Sequence, residues 1–288
     1  MASVEKSCSI LAIILFVLVL SLTSCTRLLT GTIVQPTVDN LQKQTDLDLV
    51  CEGAPAYLLM IDSMIASSPQ NRALLRIGAQ SYGSYAATLS ECGAARDRVL
   101  AIADKARMHG TTLIAAILPG IAPDQREYLD AELAGLTRRD VPALFWGTMA
   151  WLAWIQLQQG SPEAMADLVL VEKIMARLLV LDERFQAGSI HLFFGVLQAT
   201  KPAMLGGDPE AGRRHFEKAL ELSRHQFLLV QASYAETLAR LTFDRELHDR
   251  LLNEVMNFDI TKAPDYALAN QIARRKAARL LADGYFAE

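Results

Sequence analysis

The sequence predicts an all-α chain, and three observations carry that expectation. Half of the 288 residues are apolar (51%), yet only 7% are aromatic, the difference being made up by Ala and Leu. Gly (16) and Pro (10) are sparse. Apolar residues recur at helical spacing over long stretches, and no alternating strand pattern runs beyond a few residues. This balance argues against a β-sandwich or barrel, a disordered chain and a disulfide-stapled mini-protein. The length suffices for one large domain or two small ones. Lys and Arg number 28 against 32 Asp and Glu. With no basic surplus to neutralise a phosphate backbone, nucleic acid is not an expected partner.

The chain opens with an address. Ile10 to Leu22 is apolar except for Ser21, shorter than the ~20 residues of a spanning helix and of the length of a signal-peptide core. It runs into Leu22-Thr23-Ser24-Cys25, which resembles a bacterial lipobox, where small residues admit the peptidase and the Cys25 thiol accepts a diacylglyceryl group. The expectation is cleavage after a signal peptide of residues 1–24 and acylation of the new amine. Two or three chains then hold the protein on the membrane, each buried methylene adding about 0.8 kcal/mol. The alternatives are an uncleaved anchor, or an ordinary signal with a chance Cys. Thr26 follows instead of an inner-membrane-retaining Asp, so in a Gram-negative cell the address is the periplasmic face of the outer membrane. Residues 25–39 read as the lipidated Cys and its tether, and residues 40–288 as one helical repeat domain. Cys8 leaves with the signal, so Cys51 and Cys92 remain in an oxidising compartment. They either pair or stay as two buried thiols on separate helices, and the thiols are the preferred reading.

Within the domain, helices near 40–66 and 265–283 are expected to cap the two ends of a stack. Residues 72–90 and 93–108 form a pair about the break Glu91-Cys92-Gly93. His109-Gly110 marks the start of the least regular region, 110–141, which holds one helix of about 12 residues from Asp124. Further breaks fall at Val141-Pro142, Gly160-Ser161-Pro162, Gly206 to Pro209 and Ala263-Pro264. Ser161-Pro162-Glu163 and Asp208-Pro209-Glu210 are helix starts, each with an N-cap oxygen, Pro at the first position and an acid in the first turn.

Helices of this length joined by short breaks raise the question of internal repeats. Gly212-x3-Phe216-x2-Ala219 has the small–aromatic–small spacing of the second helix of a tetratricopeptide repeat, with Phe194-Gly195-x2-Gln198 as its first helix. The 17 positions from Gly195 to Gly212 exceed the repeat's own spacing by about five, which lengthens the turn within KPAMLGG. Echoes end at Leu178 and Val255. Their separations from Ala219, 41 and 36, exceed the ~34-residue unit. The expected fold is therefore a set of degenerate tetratricopeptide-like hairpins stacked in one domain.

Five segments, in order, resemble one family: the TatT component of TRAP (tripartite ATP-independent periplasmic) transporters. They are Thr45-Asp46-Leu47-Asp48-Leu49-Val50 with Glu52-Gly53-Ala54-Pro55-Ala56-Tyr57-Leu58; Gln80-Ser81-Tyr82-Gly83-Ser84-Tyr85-Ala86; Trp151-Leu152-Ala153-Trp154-Ile155; His191 to Gly195 running into Leu205 to Glu210 and His215 to Leu220; and Tyr234-Ala235-Glu236 with Phe243 to Leu252. Cys51 departs from the pattern, which leads one to expect a polar or basic residue there. The resemblance implies a lipoprotein that works beside a TRAP-type periplasmic solute-binding protein, anchored to the membrane by lipid, with an internal cavity for a hydrophobic or organic-acid ligand. Family and composition are also consistent with a homo-oligomer. The second reading is a scaffold lipoprotein for envelope assembly with no small ligand.

No GxSxG, HExxH, Walker loop or GxGxxG fingerprint is present and the five His are scattered, so neither an enzyme, a cofactor nor a metal site is expected. Candidate ligand contacts are Tyr82 and Tyr85 on one helix and Trp151 and Trp154, three apart and on one face, on another; aromatics at this spacing are usually core, and the hypothesis is that some of them line a groove. His191 precedes an apolar helix and is either a hydrogen-bonded core residue or a contact. Lys201, in the lengthened turn, is a solvated loop Lys or the partner of a substrate carboxylate. Arg213-Arg214 and Arg274-Arg275-Lys276 read as solvated faces, and Arg240 and Arg245 as partners of Asp244 or Glu236.

Overall fold

The computed structural model describes residues 35–158 and 160–286; the expected signal peptide and Cys25 lie outside them. The chain divides into two units between Asn40 and Leu41; apart from the helix that crosses this division, everything below concerns Leu41–Glu288. The described residues hold twelve α-helices and no strand. They are α1 (Gln35–Gln42), α2 (Leu47–Ser67), α3 (Arg72–Leu89), α4 (Arg96–Ala115), α5 (Leu129–Gly135), α6 (Val141–Leu157), α7 (Pro162–Leu181), α8 (Phe185–Thr200), α9 (Pro209–Ser223), α10 (Leu229–Tyr234), α11 (Arg245–Asn257) and α12 (Ala267–Ala282). A π-helical turn, Ala235–Ala239, prolongs α10. The fold is all-α.

Local chemistry accounts for the helix starts. Ser161 accepts from the Ala164 amide and Asp208 from the amides of Glu210 and Ala211, with Pro162 and Pro209 at the first helical positions. These side chains satisfy amides that the first turn leaves without a partner. Helix α2 buries Leu47, Val50, Ala54, Leu58, Ile61 and Ile65, a single stripe at spacings of three and four, against α3. By length and composition it is also apolar enough to cross a membrane. Helix α6 is buried on nearly every side, with α3, α4 and α7 around it. Its neighbours form one apolar core, and α9 to α12 form a second.

Several expectations need correction. Gly110 does not end a helix: α4 runs on to Ala115, and Gly110 is where its backbone meets α6. A Cβ there would fall 2.5 Å from the Gly147 carbonyl oxygen, so the glycine serves close approach between helices. Beyond α4 the irregular region is two 3-10 turns, Pro119–Ile121 and Pro123–Tyr128, before the short α5; the single helix expected from Asp124 is split. Cys51 and Cys92 are not separate thiols. They form a disulfide with 5.8 Å between Cα atoms, joining α2 to the turn after α3.

The capping helices also meet each other. Arg275 of α12 donates to the Glu91 carbonyl (2.8 Å) and to Asp48 (3.0 Å), and Arg279 pairs with the Glu91 carboxylate at 3.1 Å. A linear stack keeps its end helices apart; here the last returns to the first, beside the disulfide. Lys276 pairs with Glu236 and Arg274 donates to the Phe258 carbonyl, so this basic run is structural and not a solvated face. Arg240 pairs with Asp283 and Arg245 with Asp249, neither with the partners expected.

At the α8–α9 hairpin the small and aromatic residues interlock. A Cβ on Gly195 would sit 2.9 Å from the Phe216 ring, and one on Gly212 3.1 Å from the Gly195 carbonyl. Phe216 is fully buried and stacks on Tyr234 with 4.5 Å between ring centres.

Candidate functional site

The candidate residues fall into separate places. Tyr82 and Tyr85 face α2: the Tyr82 hydroxyl donates to Asp62 at 2.7 Å and the Tyr85 hydroxyl to the Cys51 carbonyl at 3.0 Å. Asp62 is also the partner of Lys105 and, at 3.3 Å, of His109 Nε2, both on α4. Burial raises the Tyr82 hydroxyl's pKa and the adjacent Asp62 carboxylate raises it further. For Asp62, burial pushes upward, but hydrogen bonds from Lys105, Tyr82 and His109 outweigh it and hold the carboxyl below its ordinary value. This is a closed polar cluster.

His191 packs against α9. Its Nδ1 lies 2.9 Å from His215 Nδ1 and its Nε2 3.4 Å from Glu183. Two facing Nδ1 atoms can share one proton, so neutral rings satisfy both contacts when His191 donates from Nε2 to Glu183 and His215 donates from Nδ1 to His191. Burial lowers both pKa values, and the neighbouring His191 and Arg214 push His215 further, to about 4. Lys201 points from the lengthened turn to Glu172 of α7, 3.0 Å away. The turn is tight enough that a Cβ on Gly207 would overlap the Lys201 carbonyl.

Trp151 and Trp154 lead to a cleft. Both rings are largely buried, and both indole N–H groups hold carboxylates: Trp151 donates to Asp167 of α7 and Trp154 to Asp104 of α4, each at 2.8 Å. Arg107, one turn along α4 from Asp104, lies with its guanidinium carbon 3.8 Å from the centre of the Trp154 ring and donates to Glu163 (2.6 Å) and Asp167 (3.0 Å). Asp104, Arg107, Met108 and Thr111 follow at spacings of three and four and so share a face of α4. That face lines a solvent-open cleft of about 520 Å³, together with Trp151 of α6 and Asp167 and Leu170 of α7. Ile121, Pro123 and Arg126 from the two 3-10 turns complete the lining.

Of the candidates, the structure places Trp151 in the lining of this cleft, Trp154 in contact with its Asp104 and Arg107, and Tyr82, Tyr85, His191 and Lys201 in contacts elsewhere. The sequence reading missed Asp104, Arg107, Arg126 and Asp167. The spacing along α4 was available from the sequence, but its pairing with Asp167 joins segments some sixty residues apart and has no local signal.

A search of the curated proteins finds no significant match. The model of the TRAP transporter T-component family matches residues 43–286, five-sixths of the chain and all of the helices that build the cleft, and the chain belongs to that family.

Proposed function

We propose that this chain is a lipid-anchored component of the periplasmic face of the outer membrane, that it docks with the solute-binding protein of a TRAP-type system, and that it holds a small organic acid in the cleft of α4, α6 and α7. An accessory role in TRAP transport follows from the family, which is not an enzyme family. The ligand reading rests on one observation: a cleft of about 520 Å³ carries a guanidinium, Arg126, beside apolar walls. Clefts of a few hundred cubic ångströms with few polar groups are the usual form of small-molecule sites. The Cys51–Cys92 disulfide supports an oxidising compartment, and the Leu22-Thr23-Ser24-Cys25 motif supports attachment through Cys25. The interlocking of Gly195, Gly212 and Phe216 supports the tetratricopeptide-like reading of α8 and α9.

The cleft opens to solvent, and this favours the second reading, an envelope scaffold without a small ligand. Affinity purification of the tagged chain from its own envelope, followed by mass spectrometry, separates the two. Enrichment of a TRAP-type solute-binding protein is the expected result. Recovery of assembly factors or peptidoglycan-associated proteins in its place would sink the transport reading.

A further inference from the structure

The ligand's charge can be read from the cleft, an inference that rests on the cleft being a ligand site. Four charged side chains line it: Asp104, Arg107, Arg126 and Asp167. Two are answered within the protein. Arg107 donates to Asp167 at 3.0 Å and to Glu163 at 2.6 Å, its guanidinium lies over Trp154, and Asp167 also accepts from Trp151. The other two have no ionic partner among the described residues. Asp104 accepts only the Trp154 indole N–H, and the Arg126 side chain has neither hydrogen bond nor ion pair. One cation and one anion, each without a counter-ion, thus line the same cleft, and Met108, Ile121, Pro123 and Leu170 give it apolar walls.

We propose that the cleft takes a zwitterion with an apolar body, of the α-amino acid class, with its carboxylate on Arg126 and its ammonium on Asp104. A planar guanidinium suits a carboxylate because two parallel N–H groups can be offered at once. Asp104 suits an ammonium because the Trp154 N–H engages only its Oδ1, which leaves the carboxylate of this cleft-lining residue with acceptor capacity to spare. A simple organic acid would satisfy Arg126 but bring its negative charge towards Asp104. An amine would satisfy Asp104 and be repelled by Arg126. Only a molecule carrying both charges answers both side chains. Met108 gives the apolar wall an adaptable surface, so several apolar side chains are accommodated.

The test is calorimetric titration of the full chain in detergent with three amino acids and their stripped counterparts. The amino acids are leucine, phenylalanine and tryptophan. The acids are 4-methylpentanoate, 3-phenylpropanoate and indole-3-propanoate; the amines are isopentylamine, phenethylamine and tryptamine. At least one amino acid is expected to bind roughly tenfold more tightly than both of its counterparts, the scale of one lost charged hydrogen bond. Arg126→Gln should weaken the amino acid and the acid but not the amine, and Asp104→Asn the amino acid and the amine but not the acid. Unchanged melting of both variants distinguishes lost binding from lost fold. Acids that bind as tightly as the amino acids, through Arg126, would overturn the zwitterion and leave the organic-acid reading standing. Binding by none of the nine compounds, or binding indifferent to both substitutions, would overturn the two together.

Discussion

Helix α4 presents polar side chains to two neighbourhoods, and they differ in how the charges are answered. Towards α2 and α3, Lys105 and His109 meet Asp62, which Tyr82 also reaches, so one carboxylate answers three donors. Towards the cleft, Asp104 and Arg126 are left without ionic partners among the described residues while Arg107 pairs with Asp167 and Glu163. The same helix therefore carries polar groups that serve the fold and polar groups that do not. A buried group without its partner destabilises the folded state, so its bonds belong to the structure. A charge left open on the wall of a cleft contributes little to folding and is free to meet a ligand.

The largest effect expected is on the fold alone. The disulfide closes a sequence separation of 41 residues, for which loop-closure entropy gives about 4 kcal/mol. Replacing Cys51 and Cys92 by Ser should lower the melting temperature by roughly 10 °C while leaving cleft titrations unchanged below the transition. A double variant that melts like the wild type would show that the tie between α2 and the α3–α4 turn adds nothing.

A smaller effect separates the α8–α9 contact from the cleft. His215 is held to about 4, below the ordinary histidine value of 6.5, and His191 and His109 are lowered as well. The groups facing the α8–α9 pair are Glu183, Arg214, Lys218 and Glu221. Between pH 6.5 and 4 the unfolded chain binds protons that the folded rings refuse. Stability is therefore complete above 6.5 and falls as the pH drops through this window. Melting temperatures measured from pH 7.5 to 4.5 should decline most below 6.5, and His215→Gln should flatten the slope. A flat wild-type profile would contradict the neutral pair.

Much of the fold was legible because its signals are local. Ser161 and Asp208, each followed by Pro and an acid, announce helix starts that need no distant partner. Gly195, Gly212 and Phe216 announce a hairpin by spacing. Gly110 was misread because a glycine that ends a helix and one that lets two helices touch look alike in sequence; only Gly147, on another helix, tells them apart. The cysteines were misread for a similar reason, since nothing near Cys51 or Cys92 says that α2 passes beside the α3–α4 turn. The site was half legible. Trp151 and Trp154 stood out as aromatics on one face, but their function is to hold Asp167 and Asp104, and Arg126 lies in the region with the least periodicity.

The most direct measurement is a matched pair of isosteric substitutions, one on each side of the comparison, followed by urea unfolding. Asp62→Asn removes the charge that answers Tyr82, Lys105 and His109 and should cost about 2 kcal/mol. Asp104→Asn keeps an acceptor for Trp154 and should change stability by less than about 0.5 kcal/mol. That contrast is the predicted result. An Asp104→Asn chain as destabilised as Asp62→Asn would mean that the cleft carboxylate serves the fold after all, and the division between the two sides of α4 would fall.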